Sequence, residues 1–478
     1  MDLARYVADL KYLMPELALL AVAVAAMFAH LFGGRRGRRL AGYVALAGLC
    51  GALWLLAVTP TARGALYSGA LTVDAFAQFI KLIVLLSALL TVLLTFRFFD
   101  VEGLESGEVY YLLLFAVIGM LFTASATDLI TFYVSFELFA ICSYILAGIF
   151  KKEIRSAEAG LKYFVLGALS SAIMVLGMAL VYGVSGATAF SQIAGPALQA
   201  DPRLFTLGML LFFVGLLFKV AAVPFHMWTP DVYEGAPTPL VAFLSTAPKA
   251  VTFAVFIRLL ATVFGALEAK WTPLLSLIAI VTMFWGNLAA LTQQNLKRML
   301  AYSSIAHAGY LLIGLAALSA GGSMAVLFYL FAYVCMNVAA FALILTIQKQ
   351  GGFGERVEDL NGLARKSPLL AAGILVVLLA LTGIPPTAGF IGKYYLLAAA
   401  VNRGLYALAV AGALNSVISL FYYFRIGRAM FMEADRPDCV LSVPVTVRAV
   451  LLLCVLALLY FGLFPALLTD CAALAALR

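Results

Sequence analysis

Charge is what this sequence has least of. Only 11% of its 478 residues are Asp, Glu, Lys or Arg, while 65% are hydrophobic. A soluble domain is about a quarter charged and about half apolar. No hydrophilic stretch is long enough to fold as a soluble domain, so the whole chain reads as one membrane domain. Cysteine is equally sparse. The six residues, Cys50, Cys142, Cys335, Cys439, Cys454 and Cys471, are scattered. With no C-x-x-C pair among them, an iron–sulfur or zinc site is not expected, and they read as small membrane hydrophobes. No glycine-rich nucleotide loop follows a strand. A basic n-region and a small-residue cleavage site are also missing, so no signal peptide is expected. The net charge of +8 is modest and sits in short clusters between apolar runs, which gives no reason to expect nucleic-acid binding.

What the chain has instead is apolar length. Uncharged runs such as 40–62, 323–348 and 449–469 exceed the roughly 18 residues that suggest a membrane-spanning helix. Spans are expected at 13–33, 40–60, 71–97, 109–125, 127–149, 161–186, 204–223, 239–263, 272–293, 299–318, 322–348, 368–401, 405–430 and 445–469. The expected fold class is all-α, a polytopic membrane protein of about fourteen transmembrane helices. The connections after odd-numbered spans carry Arg35, Arg36, Arg38 and Arg39, then Lys151, Lys152 and Arg155, then Lys297 and Arg298, then Lys349, Arg356, Arg365 and Lys366. The other connections hold little beyond Arg63, Arg203, Lys270 and Arg403. Positive charge marks the cytoplasmic side. Both termini are therefore expected on the opposite, periplasmic side of a bacterial inner membrane.

Two segments do not suit a straight helix. The run 368–401 would be about 51 Å long as a helix, against a hydrocarbon core of about 30 Å. It carries Thr382-Gly383-Ile384-Pro385-Pro386 in its middle, and proline removes a backbone donor and clashes with the preceding turn. The stretch 204–240 has Pro224, Pro230, Pro237 and Pro239 after an apolar helix. Broken helices survive in lipid only where protein or water lines the break. The two breaks lie five spans apart, which predicts two five-helix repeats, inverted because five is odd. Ser143-Tyr144-Ile145-Leu146-Ala147-Gly148 faintly echoes Gly309-Tyr310-Leu311-Leu312-Ile313-Gly314. The expected division is a three-helix region at 1–108, repeats at 109–263 and 264–432, and a last helix at 433–478.

A few charges stand where charge is costly. Glu137, Lys219 and Lys249 lie inside spans, Lys393 in the second half of the broken span, and His307 inside span ten. A charged side chain at mid-membrane costs about 2.5–3.5 kcal/mol on insertion scales, so these residues must face protein or water and find partners. Desolvation lowers a lysine's proton affinity and a nearby carboxylate raises it. A Glu137–Lys219 pair that forms and breaks is therefore a proton switch. His307 is either a proton shuttle or an interhelical hydrogen-bonder. His226, beside Pro224, is either a cap or a relay. Lys81 and Arg258 lie near a membrane face and are expected to snorkel. Asp231 and Glu234 read as solvated loop carboxylates.

These residues resemble a known family. The run Phe218-Lys219-Val220-Ala221-Ala222-Val223-Pro224-Phe225-His226-Met227-Trp228-Thr229-Pro230-Asp231 is similar to the signature of antiporter-like subunits of respiratory complex I and of Mrp-type sodium/proton antiporters. Gly383-Ile384-Pro385-Pro386-Thr387-Ala388-Gly389-Phe390-Ile391-Gly392-Lys393 looks like the matching motif of the second repeat. Within the family, Val232 through Pro239, Ser245 through Lys249, Lys297 through Tyr310 and the opening Met14-Pro15-Glu16-Leu17 resemble the subunit N (subunit 2) branch. Two departures from other branches agree: no long lateral helix follows span fourteen, and position 393 is lysine rather than glutamate. The likeness covers nearly the whole chain. It implies a proton path through Glu137, Lys219, Lys249 and Lys393, in a subunit packed among other complex I membrane subunits, including neighbouring antiporter-like ones. It also implies that this chain binds no cofactor, and that NAD, FMN, iron–sulfur clusters and quinone belong to partner subunits. A sodium/proton antiporter subunit without a redox link is the alternative, and a non-conducting scaffold would leave the buried charges unexplained.

Overall fold

The computed structural model describes residues 7–61, 64–102, 106–349, 352–436 and 439–477. Arg63, one of the few basic residues expected on the periplasmic side, lies outside them. The first helices are α1 (Met14–Phe32), α2 (Gly37–Val58), α3 (Ala75–Glu102), α4 (Glu108–Ser125), α5 (Leu129–Ala147) and α6 (Ile154–Ser185). A short α7 (Phe190–Ala200) leads to α8 (Pro202–Val220), α9 (Trp228–Gly235), α10 (Thr238–Leu244) and α11 (Ala247–Thr262). Then come α12 (Glu268–Leu291), α13 (Leu296–Ala316), α14 (Gly322–Ile344), the single turn α15 (Leu363–Lys366), α16 (Pro368–Thr382) and α17 (Ala388–Asn402). The chain closes with α18 (Tyr406–Met432), α19 (Val445–Leu463) and α20 (Ala466–Ala475).

Among the described residues, 13 helical segments are long and apolar enough to cross a membrane, counting α10 with α11 as one. The remaining expected crossing, the twelfth at 368–401, is split into α16 and α17, 15 residues each. Each half is about 22 Å long, too short to cross alone. The expected last helix is also divided, at Phe464-Pro465. The connections add two small antiparallel sheets: Ala65–Leu66 with Leu71–Thr72, and Ile347–Lys349 between Gly352–Phe353 and Val440–Leu441. The membrane body itself is all helix.

The helix ends follow local chemistry. Asp128 caps α5 by accepting from the Ile130 and Thr131 N–H groups, and Asp201 caps α8 on Arg203 and Leu204. α8 stops at Ala221, which takes the left-handed φ of 62° that glycine normally supplies. One break falls where a single span, 239–263, was expected. α10 ends at Leu244 and α11 restarts at Ala247, with Pro248 in its first turn. The Thr246 hydroxyl donates to the Ala242 carbonyl at 2.7 Å and the Ser245 hydroxyl to the same group at 2.9 Å. Side chains thus answer a carbonyl that the end of α10 leaves open, since the Thr246 N–H bonds the Phe243 carbonyl instead. α10, α11, α13 and α14 are buried along almost their whole length and form the centre of the bundle. α1, α2, α6 and α19 show apolar outer faces, with Trp54, Leu161 and Leu452 largely exposed.

Two expectations about charge are corrected. Lys81 does not snorkel. Its Nζ lies 2.6 Å from Glu16 Oε1, and both side chains are almost wholly buried, at 1% and 0% exposure. Arg258 does reach a face, but it is held there: it donates to both Asp74 oxygens, at 3.0 and 3.1 Å, and to the Ala124 carbonyl. Asp74 also accepts from the Ala77 N–H at the start of α3. The pair ties α11 to the ends of α3 and α4. Burial pushes the Asp74 carboxyl up, but the charge and hydrogen bonds of Arg258 outweigh it and hold the group below its usual value. A lowered carboxylate contributes stability that is complete above about pH 4 and is lost as pH falls through the folded-state value. Acid melting of the detergent-solubilised protein between pH 6 and 3 is therefore expected to show a limb that Asp74→Asn flattens.

Candidate functional site

Lys219 sits in the last turn of α8, just before the chain leaves helical geometry. Its Nζ donates to the Tyr144 hydroxyl at 3.1 Å. It also faces the rings of Tyr144, Tyr163, Phe139 and Phe136 at 4.4, 5.0, 5.6 and 5.9 Å from their centroids. An ammonium without water is stabilised by such ring faces. Glu137 lies on the same stretch of α5 as Phe136 and Phe139, half-buried, and accepts a hydrogen bond from the Ser171 hydroxyl. Among the described residues no ion pair within 4.0 Å joins Glu137 to Lys219. The two residues are neighbours, with Glu137 turned toward α6 and Lys219 toward Tyr144.

Lys249 stands in the first turn of α11, beyond the break at Ser245-Thr246. Its Nζ donates to the Ser304 carbonyl at 2.7 Å and to the Ser304 hydroxyl at 2.6 Å. Ser304 Oγ also lies 2.7 Å from the Tyr333 hydroxyl and 3.5 Å from that of Tyr233. On α13, Ser304, His307 and Tyr310 follow at intervals of three residues, so they share one face. His307 Nδ1 is 2.5 Å from the Tyr329 hydroxyl and Nε2 is 3.3 Å from that of Tyr423. The His307 ring lies 6.0 Å from that of Tyr310 and 5.4 Å from that of Tyr333. Lys393 lies over the Tyr310 ring at 4.3 Å. The structure thus brings Lys249, His307 and Lys393 into one buried polar line.

Lys393 answers the break in its own span. Its Nζ donates to the carbonyls of Leu381 at 3.1 Å and Thr382 at 2.8 Å, the open end of α16. A helix C-terminus carries partial negative charge, so a cation there is favoured. Gly383 makes the approach possible: it adopts φ 87°, and a Cβ at that position would come 2.8 Å from Lys393 Cδ.

From Lys219 to Lys249 the described residues form no continuous hydrogen-bonded chain. The link is aromatic. Tyr163 stacks on Trp228 at 4.2 Å, Trp228 Nε1 donates to the Phe218 carbonyl, and Trp228 meets Tyr233 edge-on at 6.2 Å. His226 does not join the line. Its buried ring stands edge-on to Trp285 on α12 at 5.7 Å, and its Nδ1 has no hydrogen-bond partner.

Several contributors escaped the sequence reading. Tyr144, Tyr233, Tyr310, Tyr329, Tyr333 and Tyr423 were given no role from the sequence. The one-turn spacing of Tyr329 and Tyr333 is a signal that could have marked a polar stripe. Asp231 and Glu234 are not simply solvated either. Arg298 NH1 lies 2.9 Å from both Asp231 and Glu234, and Lys162 lies 2.7 Å from Asp231. Burial pushes the Asp231 carboxyl up, but hydrogen bonds from Lys162 and Arg298 outweigh it and hold the group low. With Arg155 and Glu158 these residues line a polar hollow of about 210 Å³ on the face carrying the basic connections.

A family model described as NADH:quinone oxidoreductase/Mrp antiporter, TM, matches residues 126–419, which include Glu137, Lys219, His226, Lys249, His307 and Lys393. The chain belongs to the NADH:quinone oxidoreductase/Mrp antiporter family. It is 44% identical over 433 residues to the NADH-quinone oxidoreductase subunit N of Trichlorobacter lovleyi, covering 90% of this chain and 89% of that one. It is 41% identical over 469 residues to the protein of the same name from Rhodospirillum rubrum, with 97% and 96% covered. It is similar to a chain of respiratory complex I from Thermus thermophilus with bound aureothin, at a TM-score of 0.81 and 36% identity, with 95% and 98% covered. A chain of the Mrp complex from Dietzia sp. superposes with a TM-score of 0.85, but its 22% identity shows the shared fold alone. Within the family, this member therefore falls in the subunit N branch.

Proposed function

We propose that the chain is the subunit N of a proton-translocating NADH:quinone oxidoreductase, and that it moves protons through Glu137, Lys219, Lys249 and Lys393 with His307 between the last two. One observation carries this reading. Three lysines are buried in lipid-spanning protein, each beside a helix break, and hydroxyls and an imidazole stand between two of them. Fixed structural charges would be expected to find carboxylates. These three instead rest on hydroxyls, carbonyls and ring faces, partners that leave an ammonium free to lose its proton.

In this reading the subunit works among other membrane subunits of the complex, including antiporter-like neighbours, in a bacterial inner membrane. Both termini lie on the periplasmic side, opposite the basic connections. Residues 109–263 and 264–432 act as inverted half-channels, one containing the break after α8 and the other the break after α16. NADH, FMN, iron–sulfur clusters and quinone belong to partner subunits. Quinone reduction reaches the chain as a change of charge or position beside Glu137, which faces outward in part. Glu137 near Lys219 holds a proton on that lysine, and its withdrawal releases the proton toward Lys249. From there the proton passes through Ser304 and His307 to Lys393 and leaves on the outer side.

Lys219→Ala tests the first step. Donor-driven proton uptake by membrane vesicles is expected to fall at least about a hundredfold, the low end for a lost proton-transfer group, with the complex still assembled. Normal pumping by an assembled Lys219→Ala complex would sink the role given to Lys219. Pumping without any quinone-reducing partner in the purified complex would favour the antiporter reading instead.

A further inference from the structure

The proton path just proposed leaves open how protons reach Lys249 from the basic face of the second repeat. α13 and α14 run antiparallel, in a register set by two contacts: His307 with Tyr329, and Ser304 with Tyr333. Continuing that register by one turn brings Asn337 level with Leu300 and Ala301, which are apolar. One turn further lies Lys297. Its buried Nζ donates to the Ala236 carbonyl at 2.9 Å and to Glu355 Oε1 at 3.2 Å. Glu355 is part-exposed and opens the pair to solvent.

Lys297 and Ser304 are thus about 10.5 Å apart along α13, and Asn337 on α14 stands at the level between them. That side chain is wholly buried, and neither its amide nitrogen nor its oxygen has a hydrogen-bond partner. Its one polar neighbour along α14, the Tyr333 hydroxyl a turn away, makes only a loose contact with it that falls short of hydrogen-bond geometry. A carboxamide offers two donors and two acceptor sites. Buried polar groups that protein does not satisfy are characteristically satisfied by ordered water. An apolar residue would fill this level at no such cost, so the carboxamide calls for a polar occupant beside it.

We infer that Asn337 is the positioning residue of a second proton inlet, holding ordered water that links the Lys297–Glu355 pair to the Ser304 hydroxyl and so to Lys249. A proton taken up at the Lys297–Glu355 face hops along that water. The Ser304 hydroxyl accepts it on oxygen and gives up its own proton to the Lys249 amine, so the hydroxyl is restored at each passage. Tyr333 fixes Ser304 from the α14 side. The inlet rests on the reading of Lys249 as a proton carrier.

The test uses the assembled complex in membrane vesicles, with Asn337→Leu, Asn337→Ser and Lys249→Ala compared side by side. Asn337→Leu keeps the branched shape and removes the polar atoms. Its donor-driven proton uptake is expected to fall about tenfold with a raised solvent isotope effect in deuterium oxide, while Asn337→Ser recovers most of the rate. Native pumping by Asn337→Leu beside a dead Lys249→Ala would overturn the inlet and leave the central lysine standing. Equal losses in Asn337→Leu and Asn337→Ser, with an unchanged isotope effect, would also overturn it, by showing a packing role. Native pumping by Lys249→Ala would overturn both the inlet and the path on which it rests.

Discussion

In membrane vesicles carrying Lys393→Ala, donor-driven proton uptake and quinone reduction are expected to fall together, by about a hundredfold or more. The side chain closes the line that begins at Lys249. It lies over Tyr310, one turn beyond His307, and its ammonium takes the two carbonyls left open at the end of α16. On the proposed path alanine removes the last proton-carrying group before the outer face, and it leaves those carbonyls without their donor. Loss of stability is separated from loss of conduction by Lys393→Arg. Arginine supplies a cation to the same carbonyls but does not give up its proton in proteins. The arginine variant is therefore expected to assemble and still fail to pump. Rapid pumping by Lys393→Arg would mean that position 393 needs only a fixed charge. Unchanged pumping and quinone reduction in Lys393→Ala would return the chain to the scaffold or separate-antiporter reading.

The second large effect concerns folding. Lys81→Ala is expected to destabilise the protein by about 3–5 kcal/mol, the usual cost of stranding one member of a buried ion pair. Glu16 is wholly enclosed, and Lys81 Nζ at 2.6 Å is the only cation within ion-pair distance of it among the described residues. Replacing both, as Glu16→Gln with Lys81→Met, removes the stranded charge and is expected to cost far less. Resistance to denaturant in detergent, read by loss of helix, measures both variants. A Lys81→Ala protein as resistant as the parent would show that Glu16 finds another partner or is neutral. Because the pair lies in the first three helices, away from the lysine line, proton uptake per assembled complex should change little in the double variant.

Much of this protein is legible without coordinates because lipid leaves a chain few choices. Backbone groups must be satisfied within the segment, so each apolar run becomes a helix and each cluster of proline and glycine becomes a break. Thr382-Gly383-Ile384-Pro385-Pro386 announced the division of α16 from α17 in this way. The break between α10 and α11 went unread, because Pro248 alone is compatible with the first turn of a helix. Only the hydroxyls of Ser245 and Thr246, turned onto Ala242, make an interruption there affordable. Buried lysines stand out by the same logic, since charge is rare at such depth.

What the sequence determined by itself is therefore the number of crossings, the main breaks and the charges that must face protein or water: Glu137, Lys219, Lys249 and Lys393. The tertiary structure alone decided who meets whom. Glu137 rests on Ser171 and not on Lys219, Lys81 belongs to Glu16, Arg298 to Asp231 and Glu234, and His226 to the side of Trp285. It also turned a scatter of tyrosines into the polar lining between Lys249 and Lys393. The physical reason is that helix formation in lipid is a local demand, met by each segment from its own backbone. The pairing of side chains depends on helix rotation and register, which packing between distant segments sets.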